Sequence, residues 1–361
     1  MIALGALGIQ CVYLLAFLFA FRKRNEPESI DQPPVSVIVC AHDEEENLRH
    51  LIPLLLSQDY PEFEVIVVED RSNDNTYDYL LQATKEDARL KMVVVKQKPE
   101  HINGKKFALT LGIKAARHAW VLLTDADSRP ASPRWIARMA TRFDSPAKIV
   151  LGFSPYIKTP GLLNAFIRFE SILAGIQFFS LAWLGKPYMG VGRNLAYQKS
   201  LFLDNKGFNT HLGVTGGDDD LFVNQHATRD NTTTCLGAEA LVFSQPKASW
   251  KEFFHQKFRH LSVGKNYKFS DRVILGLFTL SWILVWLLVL PVSLQPAIIM
   301  PVAILFLLRW VLLTALCQVA ANRFGDPFEV WKVPFLDFMY AFYYLVTGVK
   351  ALFVKNTKWK I

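Results

Sequence analysis

The longest apolar stretches of this chain lie at its two ends. Residues 2–21 carry no charge over the roughly 20 positions that a helix needs to cross a bilayer. Arg22-Lys23-Arg24 follows directly. A cleaved leader carries its charges before the apolar run, whereas here they come after it. The pattern therefore predicts an uncleaved anchor whose C-terminal side faces the cytoplasm. At the other end, Val273–Leu290 and residues 297–320 form two more spans, the second interrupted by Arg309. Residues 333–353 are apolar but contain Asp337 and Lys350, and either cross the membrane or lie along it.

Between these ends the period changes. Val35–Cys40, Glu64–Val68, Met92–Val95, Trp120–Thr124 and Ile149–Gly152 are short apolar runs of strand type. After the first run, Leu48, Leu51, Ile52, Leu55 and Leu56 recur at helical spacing, and Phe107–His118 reads as a second helix. Alternation of near-continuous apolar strands with helices predicts a mainly parallel sheet covered on both faces. Such sheets bind ligands beyond the C-terminal ends of their strands. The polar clusters at 41–44, 69–76 and 125–127 all fall at that edge. Residues 161–185, rich in Leu, Phe, Ile and Trp but holding Arg168 and Glu170, fit either a buried core helix or a helix at a membrane surface. Residues 250–272 read as a basic amphipathic helix, with Trp250, Phe253, Phe254, Phe258 and Leu261 on one side. It suits a membrane interface, or the presentation of cations to a pyrophosphate. The expected organisation is an anchor at 1–24, a Pro-rich linker at 25–34, a catalytic domain at 35–249, the interface helix at 250–272 and a C-terminal transmembrane region at 273–361.

Charge adds a partner class. The net charge is +8, and much of the excess flanks the apolar spans: Arg22–Arg24, Lys251 to Arg272, and Lys355, Lys358 and Lys360. That placement suits an anionic membrane surface and not nucleic acid, for which no motif is present. Cys11, Cys40, Cys235 and Cys317 form no close pair in sequence, so neither a zinc site nor a disulfide framework is indicated, which fits a reducing compartment.

Two acidic centres carry the candidate chemistry. Asp125-Ala126-Asp127 ends a buried strand, where alternate side chains point alike and can converge on a divalent cation and its phosphates. The bland alternative is an ordinary loop with Asp127 or Ser128 capping the next helix. Asp218-Asp219-Asp220 follows Gly216-Gly217. Three adjacent carboxylates are costly unless exposed or engaged in chemistry, and close carboxylates raise one another's proton affinity, as a general base requires. A solvated helix cap is the competing account.

Together these segments resemble the membrane-bound family 2 glycosyltransferases with a GT-A type catalytic domain, a Rossmann-like α/β fold. Val35-Ser-Val-Ile-Val-Cys-Ala-His-Asp-Glu-Glu-Glu-Asn-Leu48 is similar to that family's opening strand, Val67-Val-Glu-Asp-Arg-Ser-Asn-Asp-Asn-Thr76 to its second acidic segment, and Gly104-Lys105-Lys-Phe-Ala-Leu to its Gly-Lys segment. Leu123-Thr-Asp-Ala-Asp127 resembles its D-x-D motif, Gly217-Asp-Asp-Asp-Leu its acceptor-side motif, and Gln256-Lys-Phe-Arg259-His260 its Q-x-x-R-W motif. The match covers roughly residues 35–270, in order.

The resemblance implies roles. Asp70 would read the nucleotide base, with Ala41 to Glu44 lining that pocket. Lys105 and Asp125 would hold the nucleotide, and Asp127 would bind Mg²⁺ or Mn²⁺ on the diphosphate. Asp219 would deprotonate the acceptor, or Asp218 if the triplet aligns one residue earlier. Gln256 and Arg259 would close over the diphosphate or the growing glycan. Cys40, Glu69 and His260 stand where the family usually has proline, aspartate and tryptophan. The last departure argues against a processive polysaccharide synthase.

The expected function is inverting, metal-dependent transfer of a sugar from a nucleotide-sugar donor, a UDP-sugar first, to a lipid or lipid-linked glycan at the cytoplasmic face. One base without a second nucleophile suits inversion. The expected location is a bacterial inner membrane. The alternatives are a polyprenyl-phosphate glycosyltransferase, a processive synthase, and an inactive nucleotide-sugar-binding membrane protein.

Overall fold

The computed structural model describes residues 1–22, 29, 31–100, 102–143, 146–293 and 295–353. Lys23, Arg24, half of the expected linker and the basic tail Lys355–Lys360 lie outside the described residues. In chain order the elements are α1 (Ile2–Ala20), β1 (Val35–Ala41), α2 (Glu45–Leu56), β2 (Phe63–Glu69), α3 (Thr76–Glu86), β3 (Leu90–Val94) and α4 (Gly104–Ala115). Then come β4 (Trp120–Asp125), β5 (Ser128–Pro130), α5 (Trp135–Ala140), β6 (Ile149–Gly152), α6 (Leu162–Trp183), β7 (Leu195–Gln198), α7 (Lys199–Asp204) and α8 (Asp220–His226). The remainder is β8 (Thr232–Cys235), β9 (Val242–Ser244), α9 (Trp250–Val263), α10 (Phe269–Ser293), α11 (Pro296–Phe324) and α12 (Val333–Phe353).

These elements form two compact units. Among the described residues, one comprises residues 29–157 and Gly185–Gln245, the other residues 1–22, Lys158–Leu184 and residues 246–353. The first holds a seven-stranded sheet in the order β3-β2-β1-β4-β7-β6-β8. β3, β2, β1 and β4 run parallel, while β7 is antiparallel to both its neighbours. The sheet is thus mixed but mainly parallel, as the strand–helix alternation predicts. The register aligns the strand ends: Ala41 pairs with Glu69, and Cys40 with Asp125, so β1, β2 and β4 end at one edge.

Burial explains the strands. Val35, Val37, Val39, Val65, Val67 and Leu122 sit in one core with Leu48, Leu51, Ile52 and Leu55, the helical-spaced face of α2. Glu45 and Glu46 occupy the first turn of α2, where the helix dipole favours them. α4 packs directly on β1 and β2: a Cβ at Gly112 would lie 2.7 Å from Ile38 Cγ2 and 2.8 Å from Val68 Cγ2. Only the absence of a side chain there permits that approach.

The second unit holds α1, α6 and α9 to α12. Ile2–Ala20, Leu162–Trp183, Phe269–Val289 and Pro296–Phe324 are long and apolar enough to cross a membrane. α6, for which the pattern left two readings open, is mostly buried within this unit, and its charges are paired. Arg168 donates to Asp326 Oδ1 at 3.0 Å and to Pro327 O at 2.6 Å, and Glu170 meets Lys257 Nζ at 2.5 Å. Residues 250–272 are not one helix, contrary to expectation. α9 stops at Val263, a single turn follows at Gly264–Asn266, and α10 begins at Phe269. Gly264 and Asn266 are poor helix formers, which favours the break there.

Two charges within the apolar spans pair with each other. Arg309 and Asp337 are both fully buried, joined by two bonds of 2.6 and 2.8 Å between α11 and α12. Trp310 Nε1 donates to Asp337 Oδ2 at 3.0 Å, and the Arg309 guanidinium lies 4.7 Å over the Trp282 ring. On α1, buried Gln10 donates to Phe278 O at 2.9 Å and Ser281 Oγ at 2.7 Å. Removing one partner of a buried pair leaves the other charge uncompensated. Asp337→Ala should therefore cost about 3–5 kcal/mol, read as a fall in unfolding midpoint in detergent, while replacing Arg309 and Asp337 together by leucine should recover most of it. Equal stability of Asp337→Ala and the native chain would show that the pair holds nothing.

Candidate active site

The site is assembled from loops at the C-terminal edge of the sheet. After β1, Asp43 adopts a left-handed backbone at φ 53, which aspartate tolerates better than most residues. Its carboxylate accepts from Asn73 N at 2.6 Å, and its own N–H donates to Ser72 Oγ at 3.1 Å. Glu44 N donates to Thr76 Oγ1 at 3.0 Å and Glu45 N to Asp74 Oδ2 at 3.2 Å. The loops after β1 and β2 therefore hold each other. The Asn73 N–H keeps the Asp43 carboxyl below its ordinary pKa. Glu69, the departure from the family pattern, accepts from Ser72 N at 2.6 Å and so secures the second loop.

Asp70 follows on that loop and is almost fully buried. Its N–H donates to Ala41 O at 2.8 Å, and its Oδ1 accepts from Arg71 Nε at 2.8 Å. Its Oδ2 is buried without a hydrogen-bond partner. An unpaired buried acceptor is costly, and one at this edge is chemically matched to a donor N–H of a ligand.

The two acidic centres meet through one cation. α4 begins at Gly104 with Asn103 as its cap. Lys105 Nζ lies 3.0 Å from Asp125 Oδ1 and 3.0 Å from Asp218 Oδ2. Burial disfavours the Lys105 charge, but Asp125, Asp218 and Asp219 outweigh it and raise its pKa well above the ordinary value. Burial likewise opposes the Asp218 charge, and Lys105 overcomes it, leaving that carboxyl below its ordinary pKa. Asp219 goes the other way: burial and then the Asp218 charge raise it. Its oxygens accept from Gly192 N at 2.7 Å and Asp220 N at 2.8 Å, so it also caps α8. Gly216 and Gly217, at φ 82 and 77, make the left-handed turn that delivers Asp218.

Asp127 is half-buried at the mouth of the same edge. Arg129 braces the segment, with Nη2 on Asn47 Oδ1 at 3.0 Å and Nη1 on Ala126 O and Ser128 O at 3.2 and 2.7 Å. Arg193, on the turn before β7, is a further charged group beside these residues. It donates to Ser154 Oγ at 3.1 Å, Ser154 O at 3.2 Å and Tyr156 OH at 3.3 Å, and lies 4.9 Å over the Tyr156 ring. Burial opposes its charge, while Tyr156, Asp125 and Asp127 strengthen it. The glycine-flanked Gly190-Val-Gly-Arg193 was the available signal. Asn194, beside it, is structural: it accepts from Trp135 Nε1 at 3.0 Å and donates to Phe153 O and Ala240 O, each at 2.8 Å.

Ala41, Glu44, Asp70, Lys105, Asp125, Asp127, Asp218 and Asp219 thus all belong to the sheet unit, on loops at one edge or on the elements beside it. Gln256 and Arg259 lie on α9 in the helical unit, both half-buried. Among the described residues no three His, Cys, Asp or Glu side chains group closely enough to cage a metal ion. A Mg²⁺-type ion needs no such cage, because one or two carboxylates and the phosphates of a substrate suffice. Asp127, half-buried on the turn after β4, is a carboxylate of that kind.

The mainly parallel sheet, with carboxylates at the carboxyl ends of its central strands, has the arrangement of a GT-A type fold. Residues 36–203 match the family described as Glycosyl transferase family 2. An uncharacterized glycosyltransferase of Haemophilus influenzae is 34% identical over 30% of this chain and 32% of that protein. A probable glycosyltransferase, YdaM, of Bacillus subtilis is 26% identical over 63% of this chain and 54% of its own length. The chain thus spans about half or less of these curated relatives. Among solved structures, the mannosyltransferase PcManGT from Pyrobaculum calidifontis, in complex with GDP-Man and Mn²⁺, shares the fold. Its TM-score is 0.58 at 15% identity, covering 99% of this chain and 100% of that one.

The Asn194 node predicts how fragile the edge is. Asn194→Ala leaves three buried groups unpaired, at roughly 1–3 kcal/mol each where water cannot reach them. Gly152→Ala places a Cβ 2.4 Å from Asn194 Cγ. Both substitutions should lower the unfolding midpoint by several degrees, read by thermal unfolding, and unchanged midpoints would remove Asn194 as the support of this turn.

Proposed function

We propose that the chain transfers a sugar, with inversion, from a nucleotide-sugar donor to a membrane-held acceptor. The observation that carries this is the Lys105 bridge between Asp125 and Asp218, which draws the donor-side and acceptor-side carboxylates into one site. The unpartnered Oδ2 of Asp70 supports a role in accepting a base N–H, in a pocket lined by Ala41 and Glu44. Lys105 and Asp125 hold the nucleotide, and Arg193 adds positive charge near the leaving diphosphate. Asp127 would hold Mg²⁺ or Mn²⁺, which neutralises that diphosphate. The match of residues 36–203 to the Glycosyl transferase family 2 model supports a nucleotide-sugar donor, and a UDP-sugar is the first candidate.

Asp219 is the base in this proposal. Asp218 is committed to Lys105, whereas burial and the neighbouring charge make Asp219 the stronger proton acceptor. The acceptor oxygen attacks the anomeric carbon from the face opposite the diphosphate. Its proton passes to Asp219, the bond from carbon to diphosphate oxygen breaks, and the configuration inverts. Four helices able to cross a bilayer support an acceptor that is a lipid or a lipid-linked glycan. The basic residues Lys265, Lys268 and Arg272 at the start of α10 support a cytoplasmic catalytic unit, in a bacterial inner membrane.

Purified chain with Mg²⁺ or Mn²⁺, a panel of nucleotide sugars and a membrane lipid extract should yield a glycosylated lipid by mass spectrometry. Asp127→Ala and Asp219→Asn should each lower kcat by roughly 10²–10⁴-fold. Binding without transfer or hydrolysis from any donor would make the chain a nucleotide-sugar binder. Full activity in Asp219→Asn would favour a phosphate acceptor, which needs no base.

The base must be deprotonated, so kcat falls as pH drops through its pKa. Because the Asp219 pKa is raised, the acid limb should lie above that of an ordinary carboxylate. Asp218→Asn removes one cause of that shift and should move the limb to lower pH. An unmoved limb in the pH–kcat profile would show that Asp219 is not the base.

A further inference from the structure

Lys106 is fully buried and takes no part in the site just described. It follows Lys105 in the first turn of α4, where successive side chains diverge by about 100° around the helix. One lysine therefore reaches the acidic pair and the other turns to the segment that precedes it. Lys106 Nζ donates to His211 O at 2.6 Å and to Val214 O at 2.9 Å. Asn103 N, at the cap of the same helix, donates to Leu212 O at 3.1 Å. The start of α4 thus holds three carbonyls of one short segment.

That segment needs holding. It runs from Gly207, at φ 58, to Gly216 and Gly217, at φ 82 and 77, and glycines leave the backbone free to move. Asp218 and Asp219 follow at once. His211 is nearly buried, with Thr210 Oγ1 on its Nδ1 at 2.9 Å, and burial pushes its pKa down to about 4. It is neutral and does not repel the ammonium. Burial pushes Lys106 itself down to about 8, against the opposing charges of Asp218, Asp220 and Asp219, so it is charged at neutral pH.

We infer that Lys106 is a positioning residue that pins the 211–217 segment and thereby sets where Asp218 and Asp219 stand against Lys105 and Asp125. The same turn of α4 then serves both halves of the reaction: Lys105 faces the nucleotide, and Lys106 places the base. The catalytic part of this inference rests on the proposed transfer reaction; the pin itself does not.

Hydrogen exchange on the full chain in detergent, read by mass spectrometry without ligand, tests the pin. Lys106→Met keeps an unbranched side chain one atom shorter and removes its donors. It should speed exchange across 208–217 by roughly tenfold or more and leave β1 and β2 unchanged. Unchanged exchange at 208–217 overturns the inference. With a donor identified by the nucleotide-sugar panel, Lys106→Met should lower kcat by roughly 10–100-fold while affinity for the nucleoside diphosphate stays within about twofold, and Lys106→Arg should restore part of kcat. If kcat and nucleotide affinity fall together, the lysine supports the fold alone and the positioning role is overturned. Should Lys106→Met not fold, Gly217→Ala strains the same segment at positive φ and should give the same split. Native chain that transfers no sugar refutes the transfer reaction and the catalytic role with it, while exchange still decides whether Lys106 is a pin.

Discussion

The Lys105 ammonium between Asp125 and Asp218 is the contact on which the sheet unit is centred. Carboxylates gathered at a partly buried edge repel one another and lose hydration, so they stay ionised only with a cation among them. Lys105 supplies that cation from the first turn of a helix that packs on the sheet through Gly112. In the proposed reaction a diphosphate would compete with the carboxylates for the same ammonium, and a divalent cation at Asp127 would balance its charge. Arg193, fixed by Ser154 and Tyr156, contributes a second positive group to the same edge.

The helical unit solves a related problem in an apolar setting. Arg168, Glu170, Arg309 and Asp337 all sit on long apolar helices, where an unpaired charge is expensive. Each has an opposite charge within hydrogen-bond distance: Asp326, Lys257, Asp337 and Arg309 in turn. Aromatic rings complete the neutralisation, with Trp282 under the Arg309 guanidinium and Trp310 donating to Asp337. What looks like an interruption of an apolar span in the sequence is a cross-link between helices in the folded chain.

The two loops after β1 and β2 show how polar residues are shared between structure and chemistry. Asp43, Glu69 and Asp74 spend their carboxylates on backbone N–H groups. Asp70 alone among them keeps a buried oxygen without a partner. The structural acids hold Asp70 rigid, and a preorganised group binds without a further ordering cost. In this sense the acidic run 43–46 is mostly scaffold, although by composition it is indistinguishable from the residues beside it.

The sequence determined what depends on period, composition and local motif. Strand and helix alternation showed the mainly parallel sheet, the long apolar runs located α1, α10 and α11, and the spacing of acidic segments at strand ends pointed to Asp70, Asp125, Asp127 and the Asp218–Asp220 triplet. Local propensity did not decide how the chain divides. The 158–184 segment joins the apolar helices although it lies between two strands of the sheet, and α9 breaks from α10 at Gly264. Pairings between residues far apart in the chain carry no local signature either. Lys257 with Glu170, Arg309 with Asp337, and Arg193 with Ser154 and Tyr156 became visible only when the elements packed. The division of labour between Lys105 and Lys106 is the sharpest case. Two adjacent, identical residues are separated only by the turn of a helix, which sends one toward the acidic pair and buries the other beneath the segment that carries it.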